Sequence, residues 1–455
     1  MGLPPGPPLP TSLQTLLWVR RPIELMRACR ARYGETFTIR LAALGNVVLL
    51  SEADAIRQVF AARSETLSAG KVNAVLRPLV GDSSVLLLDG AEHLRHRKLL
   101  LPPFQGERLR RYAPVMTEIT ERALDVARRE PALVLRPLFQ RITLEIILRV
   151  VFGFERGPEL EQIRATLERV LSIGDTAYSG FVLLPVFQRD LPGWPWRRFL
   201  RDRERADALI YAQIAKRRSA FARGERRDDI LDLLLDARDE EGAPLSDREL
   251  RDELVTLLVA GHETTATALA WTVERVLSEP RVLDALRDEL ATAGPGTEGD
   301  PLAGMRYLDA VIKEALRCRP IVPIVGRHVE EPTRIAGYEL PVGTVLAPCV
   351  YLMHHDASIY PEPDAFRPER FLDQRPDPST WLPFGGGVRR CLGLYFALYE
   401  MKLVLSSLLA RCDLELLDAA PVRMVRRAIT FSPRGGVHVR ARERRERDRL
   451  SAGSA

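Results

Sequence analysis

One cysteine, Cys391, follows the glycine-rich run Phe384-Gly385-Gly386-Gly387, with Arg389 and Arg390 directly before it and Leu392-Gly393 after it. These surroundings suit a thiolate bound to iron. Glycines let the backbone take positive φ and let a flat ligand approach closely. Leu394, Ala397, Leu398 and Met401 then recur with helical spacing. That sets Cys391 close to a helix N-terminus, where free N–H groups and the helix dipole favour S⁻ over S–H. Arg389 can pair with a carboxylate of the ligand. The competing readings are a buried structural cysteine in a turn and the nucleophile of a cysteine hydrolase. No histidine pattern pairs with Cys391 to support the second.

A second constellation is Ala260-Gly261-His262-Glu263-Thr264-Thr265, which lies inside a long helical pattern. Gly261 costs a helix about 1 kcal/mol relative to alanine. Glu263 needs a partner if buried. A threonine can bond back to the carbonyl one turn earlier and loosen the ladder. A local kink beside a bound ligand accounts for all three; a core helix whose acid makes a structural salt bridge is the plainer reading. Two further pairs are spaced for one helix face: Glu314 with Arg317 at i, i+3, and His93 with Arg97 at i, i+4. His96 falls off the His93 face and reads as surface.

These residues need rigid elements to carry them. Ser246 with Glu249 three residues on is a capping box. Leu250, Leu254, Leu257 and Leu258 then share a face, and Glu279-Pro280 stops the pattern. The spacing predicts a helix of more than about thirty residues, long enough to cross a domain. Alternation at Phe37, Ile39 and Leu41, then Gly45-Asn46 and Val47 to Leu50, predicts a β-hairpin. From about Ala91 to Leu316 the pattern is mostly helical. A second β-rich patch is expected from Arg334 to Leu346, and short strands near 428–431 and 437–439. The proline-rich start, 1–10, and the charged end, 440–455, lack periodicity, and the end is expected to fray.

Composition narrows the function classes. The chain has 455 residues and a net charge of +5 carried almost entirely by arginine, too mild an excess for a nucleic-acid binder. Five cysteines, an odd number with no C-x-x-C pair, argue against a disulfide framework or structural zinc and fit a reducing cytosol. No apolar run approaches the roughly 20 residues of a membrane span, so a soluble cytoplasmic protein is expected.

Phe384-x-x-Gly387-x-Arg389-x-Cys391-x-Gly393 resembles the haem-binding loop of the cytochrome P-450 superfamily of haem-thiolate monooxygenases. The 260–265 run is similar to its oxygen-activation signature and Glu314-x-x-Arg317 to its E-x-x-R helix. Pro368-Glu369-Arg370-Phe371 is similar to its P-E-R-F segment, and His93-x-x-x-Arg97 to a pattern of many soluble bacterial members. The resemblance covers nearly the whole chain. It implies a mainly α fold with small β-sheets (α+β): a triangular helical domain with a minor β-rich region, in one catalytic domain, 1–455.

The resemblance also implies haem b as cofactor, with Cys391 as the iron ligand and Phe384, Gly387 and Gly393 shaping its loop. His93, Arg97, Arg327 and Arg389 would clamp the propionates. Ala260 and Gly261 would lie against the haem and leave room for O2, while Glu263 and Thr264 would relay protons; His262 would be structural. Glu314, Arg317 and Arg370 would form a buried network beneath the cysteine loop. Ala260, Thr265, Ile321, Val322, Ile324, Val325 and Thr430 would line a substrate pocket under lids at 67–88 and 179–196. Their aliphatic character implies an apolar substrate: a fatty acid, a terpenoid or a polyketide-like molecule. Lys71 and Arg77 are candidate anchors for a substrate carboxylate. Electrons would come from an acidic ferredoxin or flavodoxin with its reductase, attracted by Arg389, Arg390 and Lys98, and the chain would act as a monomer. A peroxygenase using H2O2 and a haem-binding sensor or carrier are the alternatives; the Glu263–Thr264 pair speaks against both.

Overall fold

Residues of alternating character in Thr36–Leu41 and Gly45–Leu50 pair antiparallel, Thr36 opposite Leu50 and Leu41 opposite Gly45. They belong to a five-stranded sheet that continues through Val345–Pro348 and Arg327–Val329 to Leu67–Ser68. Because side chains alternate across a strand, the two faces bury different partners. Phe37, Ile39, Val47, Leu49 and Val345 pack with Trp18, Leu25 and Met26 of the N-terminal helices Thr11–Arg20 and Pro22–Tyr33. Val48, Leu50 and Leu346 pack with Ala55, Ile56 and Val59 of helix Ala53–Ala61. The sheet therefore fixes Arg327, on an inner strand, and delivers Phe60, at the end of that helix, toward the cysteine loop.

The structure, a computed structural model, describes residues 2–127, 129–172, 188, 190, 194–292, 302, 304–373, 375–418 and 420–443. The expected second lid at 179–196 falls largely outside them. The remaining described residues form a helical body with one large apolar core. Its axis is the helix Asp247–Leu277, opened by the Ser246–Glu249 capping box and about 45 Å long at 1.5 Å per residue. Against it lie Leu135–Ile146, extended by the π turn Ile147–Val151, and Arg306–Cys318 and Leu394–Arg411. No helix among the described residues is long and apolar enough to cross a membrane.

Both chain ends differ from a free coil. The Thr38 N–H and hydroxyl donate to the Pro5 and Pro4 carbonyls at 2.9 and 2.7 Å, so the proline-rich start covers the edge strand of the sheet, where open backbone groups invite unwanted pairing. At the other end, His438–Glu443 pairs with Cys412–Leu416 and with Leu133–Val134. The fraying expected from 440 is thus corrected for 440–443, whose backbone groups are paired; 444–455 lie outside the described residues.

Candidate functional site

The loop before Cys391 is set by glycine where no other residue fits. Gly387 takes φ +64°, and a Cβ there would lie 2.3 Å from the Phe60 carbonyl oxygen. The Cys391 N–H closes the turn on the Phe384 carbonyl at 3.0 Å. Gly393 is the N-cap of helix Leu394–Arg411, and a Cβ on it would face open space. Of the five cysteines only Cys391 is exposed. Its thiol is nevertheless deep in the molecule: burial pushes its pKa up, against the Gly393 N–H, Arg97 and Arg390, which favour the thiolate. The residue is therefore open on one side while its sulfur lies deep among protein atoms.

The central helix presents a second wall of open space. It is buried along most of its length, but Leu257, Gly261 and Thr264 are half-buried and Ala260 is exposed, a stripe at i, i+3, i+4, i+7. Thr264 donates back to the Ala260 carbonyl. Gly261 leaves a notch filled from the π turn: its Cβ would lie 3.1 Å from Ile147 Cδ1. Glu263, one step off the stripe, accepts from Arg136 Nη2 at 2.6 Å and from Gln140 Nε2 at 2.7 Å, with Thr267 Oγ1 at 3.2 Å. The acid is therefore partnered, on the helix facing its own. His262 is buried, and its carbonyl accepts the Thr143 hydroxyl at 3.1 Å. Thr265 is likewise buried; a further 100° around the helix from Thr264, it packs into protein rather than lining the stripe.

Four basic side chains converge near the loop. His93, 2% exposed, has no partner for Nδ1. Burial first, then Arg389, Arg97 and Arg327, push its pKa down to about 3. Arg327, in the sheet, is 8% exposed and lowered to about 10 by burial and by Arg389. The Arg97 guanidinium has neither hydrogen bond nor ion pair among the described residues, and burial lowers its pKa too. Arg389 donates to the Val85 carbonyl at 3.0 Å and to Leu88 and Asp89. Among the described residues Asp89 is the one carboxylate acting on Arg327 and Arg389, and none acts on Arg97. One buried guanidinium, Arg327, and two half-buried ones, Arg97 and Arg389, face one carboxylate, and the excess positive charge is costly where it is desolvated. A ligand with two carboxylates and a metal centre that a thiolate can bind, as haem has, fits this donor set and the sulfur beside it.

Beneath the loop, Arg317 and Glu314 are both 0% exposed and form a bidentate pair at 2.7 and 2.8 Å. Arg317 also donates to the carbonyls of His354, Pro363 and Ala365. His354 Nε2 accepts the Leu382 N–H at 2.8 Å, so the hub reaches the start of the cysteine loop. Arg370 Nε lies 3.4 Å from Glu314, while its Nη2 donates to the Pro361 and Glu362 carbonyls. Val322, Ile324 and Val325 are half-buried, and Val325 Cγ1 lies 3.9 Å from a Cβ built on Gly385. Ile321 and Thr430 are buried; Ile321 accepts the Phe431 N–H at 2.7 Å, and the Thr430 hydroxyl donates to Arg427.

Several expectations need correction. His96 is not at the surface: it is 3% exposed, with Nδ1 2.7 Å from Glu253 and Nε2 3.2 Å from Glu249. Burial opposes its charging, but the two carboxylates more than offset this and raise its pKa. Lys71 and Arg77 are surface residues paired with Glu330 and Asp82, not anchors inside a pocket. Arg389 points inward, leaving Arg390 and Lys98 as the exposed cations, Lys98 beside Glu240. Phe60, Asp89, Arg136 and Glu253 escaped sequence reasoning, because each acts through a partner remote in the chain.

The family model described as cytochrome P-450 matches residues 4–437. Proteins of Mycobacterium tuberculosis and Mycobacterium bovis named as cytochrome P-450 135B1 are 40% identical over 455 residues, 100% of this chain and 94% of theirs. Another from Mycobacterium tuberculosis, named as cytochrome P-450 135A1, is 36% identical over 96% of this chain and 95% of its own. A solved cyanobacterial structure, CYP120A1 with retinoic acid bound, is similar at TM-score 0.82 and 27% identity, covering 97% of this chain and 100% of that one.

Proposed function

The chain belongs to the cytochrome P-450 family of haem-dependent monooxygenases, and from that premise we propose that Cys391 ligates the iron of a haem b whose propionates rest on His93, Arg97, Arg327 and Arg389. Haem bound through a thiolate supplies reductive activation of O2, with one oxygen atom inserted into substrate and the other leaving as water. The chain's own residues do the rest. Gly387 lets the loop pass against the Phe60 carbonyl, and Gly393 leaves the space beside Cys391 free of a side chain, where the haem would lie. The positive charge left over in the arginine cluster binds the two carboxylates, and the propionates relieve its repulsion.

Thr264 lies on the open stripe, and its hydroxyl, free to turn from the Ala260 carbonyl, holds water and passes a proton. Glu263 stands behind it, its side chain 27% exposed, and resupplies that proton once Arg136 yields. Ala260, Val322, Ile324 and Val325 bound an apolar space. With retinoic acid bound to the similar cyanobacterial protein, this supports an elongated apolar substrate, a terpenoid before a fatty acid or polyketide-like molecule. Electrons come from an acidic ferredoxin or flavodoxin meeting Arg390 and Lys98. The chain works as one catalytic unit, a monomer in a bacterial cytoplasm.

The observation that carries the reading is the single exposed cysteine, its desolvated thiol beside the cation cluster. Reconstituted with haem, reduced and exposed to carbon monoxide, the protein gives the red-shifted Soret band of thiolate ligation, and Cys391→Ser abolishes it. An unchanged band in that variant would sink the assignment. Turnover with NADPH and a surrogate ferredoxin pair, exceeding turnover with H2O2, separates a monooxygenase from a peroxygenase or a carrier.

A further inference from the structure

Asp89 is the N-cap residue of helix Gly90–Leu100, a position where aspartate ordinarily accepts N–H groups of the first turn. Its side chain makes no such bond. Oδ1 and Oδ2 instead accept the Ala69 and Gly70 N–H groups at 3.0 and 2.9 Å, and Oδ1 also accepts from Arg389. The crossing is tight: a Cβ on Gly70 would lie 2.1 Å from the Leu87 carbonyl oxygen and 2.6 Å from Asp89 Oδ2. Asn73 Nδ2 repeats it, donating to Leu86 at 3.0 Å. Residues 69–89 thus form a segment of short helical turns whose two ends meet at Asp89. Its returning limb is fastened to the central helix: the Ser83 and Val85 N–H groups donate to Asp252 and Glu253 at 2.9 and 2.8 Å, and the Thr256 hydroxyl bonds Ser84 at 2.6 Å.

Resting on the assignment of Arg389 to a propionate, we propose that Asp89 is a positioning residue that holds Arg389 in the clamp and ties it to the base of the lid, so that the position of the lid is transmitted to the haem carboxylates. Three observations converge. The carboxylate gives up its helix-capping role for this contact. It is the only acid acting on the arginine cluster among the described residues. It bonds both the lid's first residues and the cysteine loop's arginine. Asp89 acts through Arg389 and through two backbone amides.

The test compares haem-loaded Asp89→Asn and Asp89→Glu with Arg389→Ala as reference. Three quantities are read: haem transfer to apomyoglobin, the ferric–ferrous midpoint potential, and hydrogen exchange of the amides at 67–73. Losing one charge-assisted hydrogen bond predicts roughly tenfold faster haem loss in Asp89→Asn. Removing a negative charge beside the clamp shifts the potential positive, and the amides at 69 and 70 exchange faster. Asp89→Glu keeps the charge and returns the potential to the parental value, even where its longer side chain loosens the amides. A parental potential, or parental exchange at 69 and 70, in Asp89→Asn while Arg389→Ala loses haem faster overturns this inference alone. Parental haem loss in Arg389→Ala overturns the propionate assignment beneath it.

Discussion

Two groups of buried arginine lie on either side of the cysteine loop, and they are finished differently. Arg317 has five N–H donors and meets five oxygens: both of Glu314 and the carbonyls of His354, Pro363 and Ala365. In the cluster above, Arg97 has no partner among the described residues, and His93 leaves a ring nitrogen unbonded. The side-chain chemistry is the same, but Arg317 is fully buried whereas Arg97 and Arg389 are half-buried, and their bonding is less complete. A charge whose bonds all end inside the chain serves the chain. A group of charges left open in a desolvated place is waiting for something that is not protein.

The contrast can be broken by mutation. Arg317→Ala strands Glu314 without its partner and should cost about 3–5 kcal/mol, seen as a large drop in thermal unfolding temperature and as protein that does not keep haem. A parental melt would put the hub on the wrong side of the comparison. Arg97→Ala should do the reverse: the haem-free fold keeps its stability, while haem affinity falls by about one to two orders of magnitude, the value of one bond between charged groups. Haem titration alongside unfolding of the haem-free protein tells the two apart. Acid gives a third measure. His93 carries a folded-state pKa of about 3 against about 6.5 unfolded. The unfolded chain therefore binds the proton first as pH falls. The stability this group contributes is complete above about 6.5 and drains away toward 3, at up to about 1.4 kcal/mol per pH unit. His354 and His355 are lowered by burial in the same sense, so His93→Leu removes only its share of the slope. The smallest effect is expected at Lys71, an exposed pair with Glu330: Lys71→Ala should change stability by no more than about 0.5 kcal/mol and leave ligand-induced Soret shifts alone.

Local rules read well where the determinant is local. The Ser246–Glu249 cap, the i, i+3 pairing of Glu314 with Arg317 and the turn demanded by Gly387 all lie within a few residues, and the structure has each of them. Reading fails where the partner is distant. His96 looks peripheral by helical phase alone, because nothing near it announces that the central helix covers that side with Glu253, 157 residues later. Arg389 looks available to a partner protein until Asp89 is found 300 residues earlier. Thr265 shares a motif with Thr264 yet faces protein, since a step of 100° separates two adjacent side chains on a helix.

The notch at Gly261 has a consequence for how such a chain can change over generations. Ile147 Cδ1 fills it closely enough that a methyl at 261 would push it back by a few tenths of an ångström. Residues 147 and 261, on separate helices, are therefore coupled: an alanine at 261 needs the end of the Ile147 side chain to give by a few tenths of an ångström, and a valine at 147, which lacks that carbon, would remove the contact.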